Sequence, residues 1–159
     1  MKFTVNAVPI AQPRQRIRVM MIRGRTLATN YTPKTSPVQD FKASVRMAAS
    51  EAYQGEPLSG PLTLRCIFVL PRPGRLMWKT RPMPRERHIT KPDVDNLLKS
   101  VTDALNQLLW RDDSQVAEVL AEKWIAAGDE QPHVEINIEP CQLPARMEQV
   151  ADVGGELWT

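Results

Sequence analysis

The chain has 159 residues, of which 42% are hydrophobic and 25% charged, an ordinary composition for a globular protein of one domain. Its two cysteines, Cys66 and Cys141, have no second cysteine or histidine at zinc spacing, and no apolar run approaches the ~18 residues of a membrane span. These features argue against a structural zinc site, a cleavable signal peptide and a membrane segment. We therefore expect a cytoplasmic protein with no membrane partner.

Charge is distributed unevenly along the chain. Residues 1–91 carry 17 Lys and Arg against four Asp and Glu, a net +13, whereas residues 92–159 carry four against 14, a net −10. The basic half is rich in arginine, whose guanidinium fork matches phosphate oxygens. This favours a partner that bears phosphates. Two halves that merely neutralise each other, within one fold or across a dimer, would show the same composition.

The front of the chain predicts extended structure. Alternating apolar and polar residues from Phe3 to Ala7 predict a first strand, which prolines then interrupt. Segments 17–22 and 26–31 flank Arg23-Gly24-Arg25, and this arrangement suggests a short hairpin or an ordered loop.

A helix and a strand are predicted next. Ser36, Pro37 and Gln39 have the pattern of a helix start, with a serine N-cap, proline at the first helical position and a capping box. Apolar residues at helical spacing carry this helix to about Tyr53. Alternation over Leu62–Leu70 predicts a buried strand.

The second half contains the clearest helix. Residues 71–90 lack any period and predict a mobile basic loop, whereas apolar residues spaced three and four apart predict a helix from Val94 to Leu109. Strands are expected over 115–126 and 133–139. This order predicts an α/β or α+β fold with a single mixed sheet and two helices in one domain, residues 1–140. A flexible or weakly helical tail would occupy 141–159.

Two aspartates lie at the start of the second helix. Pro92 predicts that Asp93 is the N-cap, outside the helix and free to turn towards Asp95. At 100° per residue, Asp95, Lys99 and Asp103 share one edge of the helix beside its apolar stripe. Two converging carboxylates suit Mg²⁺, which binds oxygen and keeps several waters. The alternative is an acidic cap beside a solvated face, with Lys99 paired to Asp95 and Asp103 solvated or paired to Lys99.

A third carboxylate is expected from Asp112 or Asp113, just beyond the helix. The predicted helix from Asp95 to Leu109 would be ~21 Å long, so one ion could not reach both ends within a chain. A two-fold dimer with antiparallel helices removes this difficulty, because Asp113 of one subunit would complete the site begun by Asp93 and Asp95 of the other.

Several sequence segments together resemble the RusA family of Holliday junction resolvases. The specific block consists of Lys91-Pro-Asp-Val-Asp-Asn-Leu-Leu-Lys99, Asp103-Ala-Leu-Asn106 and Trp110-Arg-Asp-Asp-Ser-Gln-Val116. A looser match covers Pro13-Arg-Gln-Arg-Ile-Arg18 and Tyr31-Thr-Pro33. The similarity extends over roughly residues 3–139, and the long basic loop and the tail depart from it.

The resemblance implies a homodimeric endonuclease of bacterial or prophage origin that cuts four-way DNA junctions in recombination and repair. It implies that Asp93, Asp95, Asp113 and Lys99 carry the activity and that the three aspartates bind Mg²⁺, with Mn²⁺ as a substitute. A nuclease acting mainly on flaps or forks, or a DNA-junction-binding protein without catalysis, remains an alternative.

Two groups of basic residues are expected to contact the DNA backbone, although plain solubility would explain any single one of them. Such contacts would position the DNA without specifying its sequence. Trp78, within the second group, is expected either to stack on an exposed base or to anchor the loop. The groups are Arg14, Arg16, Arg18, Arg23 and Arg25, and Arg72, Arg75, Lys79, Arg81, Arg85 and Arg87.

Overall fold

The computed structural model of the protein describes residues 1–13, 16–22, 25–31 and 36–142, without the side chains of 16–18, 22, 25 and 27–31. The prediction for the tail therefore lies almost wholly outside the described residues. The elements are β1 (Lys2–Val5), β2 (Arg16–Ile22), β3 (Arg25–Tyr31), α1 (Pro37–Ala52), β4 (Leu62–Leu70), β5 (Glu86–Arg87), α2 (Val94–Leu105), β6 (Val116–Ile125) and β7 (His133–Pro140).

A single mixed sheet of five strands forms the centre of the molecule, in the order β1-β7-β4-β6-β5. Strands β4 and β6 are parallel, and every other neighbouring pair is antiparallel. Cys66 on β4 lies opposite Ala121 on β6 and Ile136 on β7. The predicted hairpin is confirmed as a separate two-stranded sheet of β2 and β3. The predicted single mixed sheet with two helices is therefore confirmed.

The core lies between one face of the sheet and the two helices, because alternate strand residues and one stripe of each helix share an apolar cluster. Burial removes this apolar surface from water, at roughly 25 cal/mol per Å². Burial also raises the pKa of the Cys66 thiol to about 12, so this cysteine is an inert core residue. The members of the apolar cluster that lie on the helices include Phe41, Val45 and Ala49 of α1, and Leu97, Val101, Ala104 and Leu105 of α2.

Helix α1 begins where the sequence predicts, but without the predicted capping box. Ser36 is the N-cap and Pro37 the first helical residue, yet the Ser36 side chain makes no capping hydrogen bond. The backbone amide of Gln39 donates instead to the Ser36 carbonyl oxygen at 2.9 Å. No described helix is long and apolar enough to cross a membrane.

Helix α2 ends earlier than predicted, at Leu105 and not at Leu109. Asn106 leaves the helical conformation, and Gln107 has a φ of 60°, a left-handed value that breaks the hydrogen-bonding pattern. The amides of Leu108 and Leu109 both donate to the Leu105 carbonyl at 3.0 Å. Leu109 is nevertheless 1% exposed, so the apolar pattern continues into the core after the helix has stopped.

The predicted loop of residues 71–90 contains more structure than expected. A short 3-10 helix spans Gly74–Leu76, and β5 pairs with the end of β6, with Glu86 opposite Ile125. Each end of this segment is attached to the sheet. The prediction of a mobile loop did not anticipate these attachments.

Candidate functional site

Asp93 and Asp95 present two free carboxylates at the N-terminal end of α2. Asp93 is the N-cap, as predicted, but its side chain makes no capping hydrogen bond. Both residues are exposed, and neither carboxylate has a hydrogen bond or ion pair among the residues described. Because the N-terminus of a helix carries partial positive charge, it tolerates this pair of anions. All four carboxylate oxygens are therefore available to a ligand.

The backbone in front of these aspartates is held by Lys123 of β6. Its Nζ donates to the carbonyl oxygens of Thr90, at 2.8 Å, and Pro92, at 2.6 Å. Burial first, and then the charge of Lys123, lower the pKa of the neighbouring His88, so this imidazole is neutral near pH 7. Lys123 thus connects strand β6 to the residue that precedes Asp93.

An open depression of roughly 470 Å³ adjoins Asp93. Ala11, Gln12, Lys91, Pro92 and Asn96 complete its lining. The segment after β1 reaches this depression, and the backbone amide of Gln12 donates to the Asn96 carbonyl at 2.8 Å. The site therefore lies at the surface, accessible to a large substrate.

The edge of α2 that carries Lys99 is divided into a free part and an attached part. Lys99 is exposed, and no ion pair joins it to Asp95 within the described part of the chain. Asp103 is exposed, as one of the two expectations had it, but its ion-pair partner is Lys42 of α1, at 2.8 Å, and not Lys99. Arg46 of α1 donates to the Ala104 carbonyl at 2.9 Å. The C-terminal half of this edge thus joins the two helices.

Asp113 lies in a rigid turn beyond α2. The buried Trp110 donates its indole Nε1 proton to Asp113 Oδ1 at 2.8 Å, which leaves Oδ2 available. Asp112 caps a short 3-10 helix, and the hydrogen bond from Ser114 lowers the pKa of its carboxyl. Gln115 closes the capping box and also donates to the Leu58 carbonyl at 3.0 Å. This turn therefore holds Asp113 in a defined orientation.

Asp113 lies beyond one end of α2, and Asp93 and Asp95 lie at the other. The helix has 12 residues, about 18 Å at 1.5 Å per residue. No three Asp, Glu, His or Cys side chains come together as a metal site among the residues that the structure describes. One chain thus has two carboxylates at the N-terminal end of α2 and a third carboxylate, held by a hydrogen bond, beyond its C-terminal end.

Arg72 is not available to DNA, in contrast to the prediction. Its side chain is 2% exposed, and its guanidinium donates to the Ala126 carbonyl at 2.7 Å, to Glu86 at 2.8 Å and to the Pro84 carbonyl. Three of its five N–H donors are used within the chain, and burial of the side chain keeps a phosphate away from the others. Arg72 attaches the start of the basic loop to the end of β6.

Two further arginines of the loop bind carboxylates of this chain. Arg85 contacts Glu130 through two nitrogens and Glu135 at 3.0 Å. Its hydrogen bond is the main cause that holds the pKa of Glu130 below the usual range. Arg87 pairs with Glu122 at 2.9 Å and lies over the Trp124 ring at 3.8 Å. These contacts give Arg85 and Arg87 a structural role, although Arg87 is 60% exposed.

The remaining cations of the loop have no carboxylate partner among the described residues. Arg75, Lys79 and Arg81 are exposed, and Arg81 lies 5.9 Å from the centroid of the Trp78 ring. These three residues keep the predicted DNA-contacting role as an untested prediction. The predictions for the front group lie outside the described side chains: Arg14, Arg16, Arg18, Arg23 and Arg25.

Sequence reasoning missed Lys123 and the indole of Trp110 as supports of the site. Trp110 is buried in the core, and its hydrogen bond to Asp113 adds a positioning contact. A signal for Lys123 did exist, because residues 92–159 contain only four Lys and Arg. A lysine inside a strand of this acidic half is unusual enough to suggest a particular partner.

Comparisons with known proteins cover most of the chain. A family model described as Endodeoxyribonuclease RusA matches residues 6–139. Uncharacterized protein YqaN of Bacillus subtilis (strain 168) is 33% identical over 144 residues, which covers 86% of this chain and 94% of that relative. The family match includes both helices, the basic loop and the turn that holds Asp113.

Proposed function

The chain belongs to the RusA family of endodeoxyribonucleases, and from this premise we propose that it is a Mg²⁺-dependent, homodimeric enzyme that resolves four-way DNA junctions. It would act in DNA recombination and repair by paired hydrolysis of phosphodiester bonds. The observation that carries this proposal is the pair of exposed carboxylates of Asp93 and Asp95, which have no partner among the described residues. Lys99, also exposed and without a partner in that part of the chain, follows one turn further along the same helix.

The residues present fit a hard divalent cation. Asp93 and Asp95 offer oxygen ligands at the N-terminal end of α2, and the Asp93 carboxylate makes no capping hydrogen bond. When bound, Mg²⁺, or Mn²⁺ in its place, would polarise the scissile phosphate and lower the pKa of a bound water. The side chains of Asp93 and Asp95 are exposed to solvent, so a DNA strand can approach them.

A second copy of the chain supplies the third ligand in this proposal. Asp113 lies beyond the opposite end of an ~18 Å helix, and the Trp110 indole orients it with one oxygen free. With two α2 helices antiparallel about a two-fold axis, Asp113 of each subunit would meet Asp93 and Asp95 of the other. Two identical sites related by this axis match the pseudo-two-fold symmetry of a four-way junction.

Lys99 contributes positive charge to the reacting phosphate. Attack of a water oxygen on phosphorus, with departure of the strand's leaving oxygen, increases negative charge on the non-bridging oxygens in the transition state. Because Lys99 has no carboxylate partner among the described residues, its ammonium group is available to stabilise that charge. The role of Lys99 is thus electrostatic, and the aspartates position the reacting groups.

The experiment that tests this proposal compares three synthetic DNAs, a four-way junction, a fork and a plain duplex, each with Mg²⁺, with Mn²⁺ and with EDTA. We expect paired, symmetric nicks in the junction with either metal and none with EDTA. Cutting of forks in preference to junctions would replace the proposal by a flap or fork nuclease. Binding of the junction without any cutting would indicate a junction-binding protein that lacks catalysis.

A further inference from the structure

We propose that the tip of the basic loop, residues 75–81, is a binding site for an unpaired nucleobase at the branch point of the DNA, with Trp78 as the stacking surface. The proposal rests on the proposed function for the identity of the DNA, and it adds a second contact away from the acidic site. Neither the family match nor the relative assigns a role to these residues.

The tip combines an exposed aromatic ring with uncompensated positive charge. Trp78 is 40% exposed and Met77 48% exposed, although side chains of this size are usually buried. Arg75, Lys79 and Arg81 flank them in the sequence, exposed and without a carboxylate partner in the described part of the chain. Exposed aromatic rings beside cations are the combination that binds single-stranded nucleic acid, since bases stack on the ring and phosphates meet the cations.

One cation is already placed against the ring. The Arg81 guanidinium carbon lies 5.9 Å from the Trp78 ring centroid, within the ~6 Å of a cation–π contact. The backbone amide of Trp78 also contacts Met83 Sδ at 3.2 Å, which restrains the ring's attachment point. The ring is therefore oriented before any ligand arrives, which reduces the entropy cost of stacking.

The base of the loop is rigidly joined to the sheet, so the tip is presented at a fixed position. Arg72 holds one side through the Ala126 carbonyl, and Arg85 holds the other through Glu130. Met83 accepts a hydrogen bond from the Gly128 amide at 2.9 Å, and a Cβ at Gly128 would come within 2.4 Å of the Met83 methyl. A side chain at Gly128 would therefore displace the end of the Met83 side chain.

The tip and the acidic site share one end of the sheet. Pro92, next to Asp93, is bonded to Lys123, and Met83, near the tip, is bonded to Gly128. Lys123 and Gly128 are five positions apart in the chain, a span of at most ~18 Å in extended chain. In this proposal one junction contacts both places, with its cleaved strand at Asp93 and an unstacked base at Trp78.

The test measures binding apart from cleavage. A chain made inactive by Asp95→Asn is titrated with a four-way junction carrying 2-aminopurine at the branch point, in EDTA, and with a duplex of the same sequence. We expect Trp78→Ala to weaken junction binding by about 5- to 150-fold, the value of one base stacked on an aromatic ring. The 2-aminopurine signal that accompanies binding should fall in the same variant, and duplex binding should stay unchanged.

Two further variants separate stacking from a structural role. Trp78→Phe keeps a ring and should retain most of the affinity and of the 2-aminopurine signal. Met77→Ala removes an equally exposed neighbour without a ring, and it should change junction affinity by no more than about twofold. Equal junction affinity for Trp78→Ala and the parent would overturn the inference, as would equal losses on junction and duplex. Failure of the proposed function would appear separately, as absence of metal-dependent cutting by the wild-type chain.

Discussion

The acidic residues at the two ends of α2 differ in their hydrogen-bond and ion-pair partners. At the N-terminal end, Asp93 and Asp95 are exposed and their carboxylates have no partner among the described residues, whereas Lys123 holds the backbone before them. At the C-terminal end, Asp103 is bound to Lys42, and beyond it Asp113 is bound to Trp110. The proposed function assigns a ligand to the exposed carboxylates at the N-terminal end, whereas the carboxylates at and beyond the C-terminal end are bound within the chain.

The largest expected effect comes from making the same substitution at each end. Asp95→Asn keeps the shape of the side chain but removes its charge, and we expect junction cleavage to fall by at least about 100-fold with binding preserved. Asp103→Asn is the matched control on the same helix edge. It should cleave at nearly the wild-type rate and lose only about 0.2–1 kcal/mol of unfolding free energy with the Lys42 ion pair.

Single-turnover cleavage and urea unfolding of both variants provide the two readouts. Equal loss of cleavage in Asp95→Asn and Asp103→Asn would show that both residues of this helix edge contribute equally to cleavage. The functional difference between the two ends of α2 would then be contradicted. Unaltered turnover in Asp95→Asn would remove this residue from the site.

A smaller effect is expected from the lysines that support the two ends. Lys123→Met keeps the aliphatic stem but removes the hydrogen bonds to the Thr90 and Pro92 carbonyls. Since these bonds fix the backbone that carries Asp93, we expect the Mg²⁺ concentration for half-maximal cleavage to rise about tenfold. The rate at saturating Mg²⁺ should recover in large part.

Lys42→Met is the control for this experiment, because Lys42 supports the other end of α2 through Asp103. It should leave the Mg²⁺ dependence as in the wild type. If Lys123→Met shifts unfolding but not the Mg²⁺ dependence, Lys123 stabilises the fold without positioning the site.

The smallest effect concerns the acid sensitivity of the base of the loop. The Arg85 hydrogen bonds hold the pKa of Glu130 below its unfolded value, so this pair stabilises the folded state above the ordinary glutamate pKa of about 4.3. The contribution is lost as pH falls through the lowered pKa of the folded state. Glu130→Gln should therefore lower the melting temperature at pH 7, by the equivalent of about 1 kcal/mol or less.

The same variant should approach the wild type as pH falls below 4, because protonation removes the charge that the substitution removes. Melting curves from pH 3 to 7 provide the comparison. A difference between the two chains that persists unchanged at pH 3 would contradict an ionic role for Glu130.

Sequence periodicity predicted the elements well where burial and backbone geometry coincide. The bounds of β4 and the start of α1 follow from apolar alternation and from Pro37. The end of α2 was wrong because periodicity reports burial and not backbone hydrogen bonding. Leu109 is buried although the left-handed Gln107 has already ended the helix.

The site was predictable only for residues whose role depends on local spacing. The N-cap position of Asp93 follows from the preceding proline and is confirmed. The fates of Arg72 and Arg75 differ because Arg72 meets the Ala126 carbonyl, 54 residues away in the chain, and Arg75 meets no carboxylate among the described residues. No local pattern distinguishes these two arginines. Lys123 was missed for the same reason, since its partners are backbone carbonyls about 30 positions away.

The central claim is that each site takes Asp93 and Asp95 from one subunit and Asp113 from its partner. It can be tested by mixing two inactive chains, Asp93→Asn and Asp113→Asn, so that subunits exchange. Each mixed dimer then contains one site with both substitutions and one site with none. An equal mixture should regain about a quarter of the wild-type number of intact sites. These dimers should nick one strand of a junction without the paired second cut.

A mixture of Asp93→Asn with Asp95→Asn is the matched control. Both residues come from the same subunit of a site, so no mixed dimer contains an intact one, and the mixture should stay inactive. Recovery of nicking in the first mixture alone is the result that the shared site predicts. No recovery in the first mixture, once mixed dimers are shown to form, would contradict it.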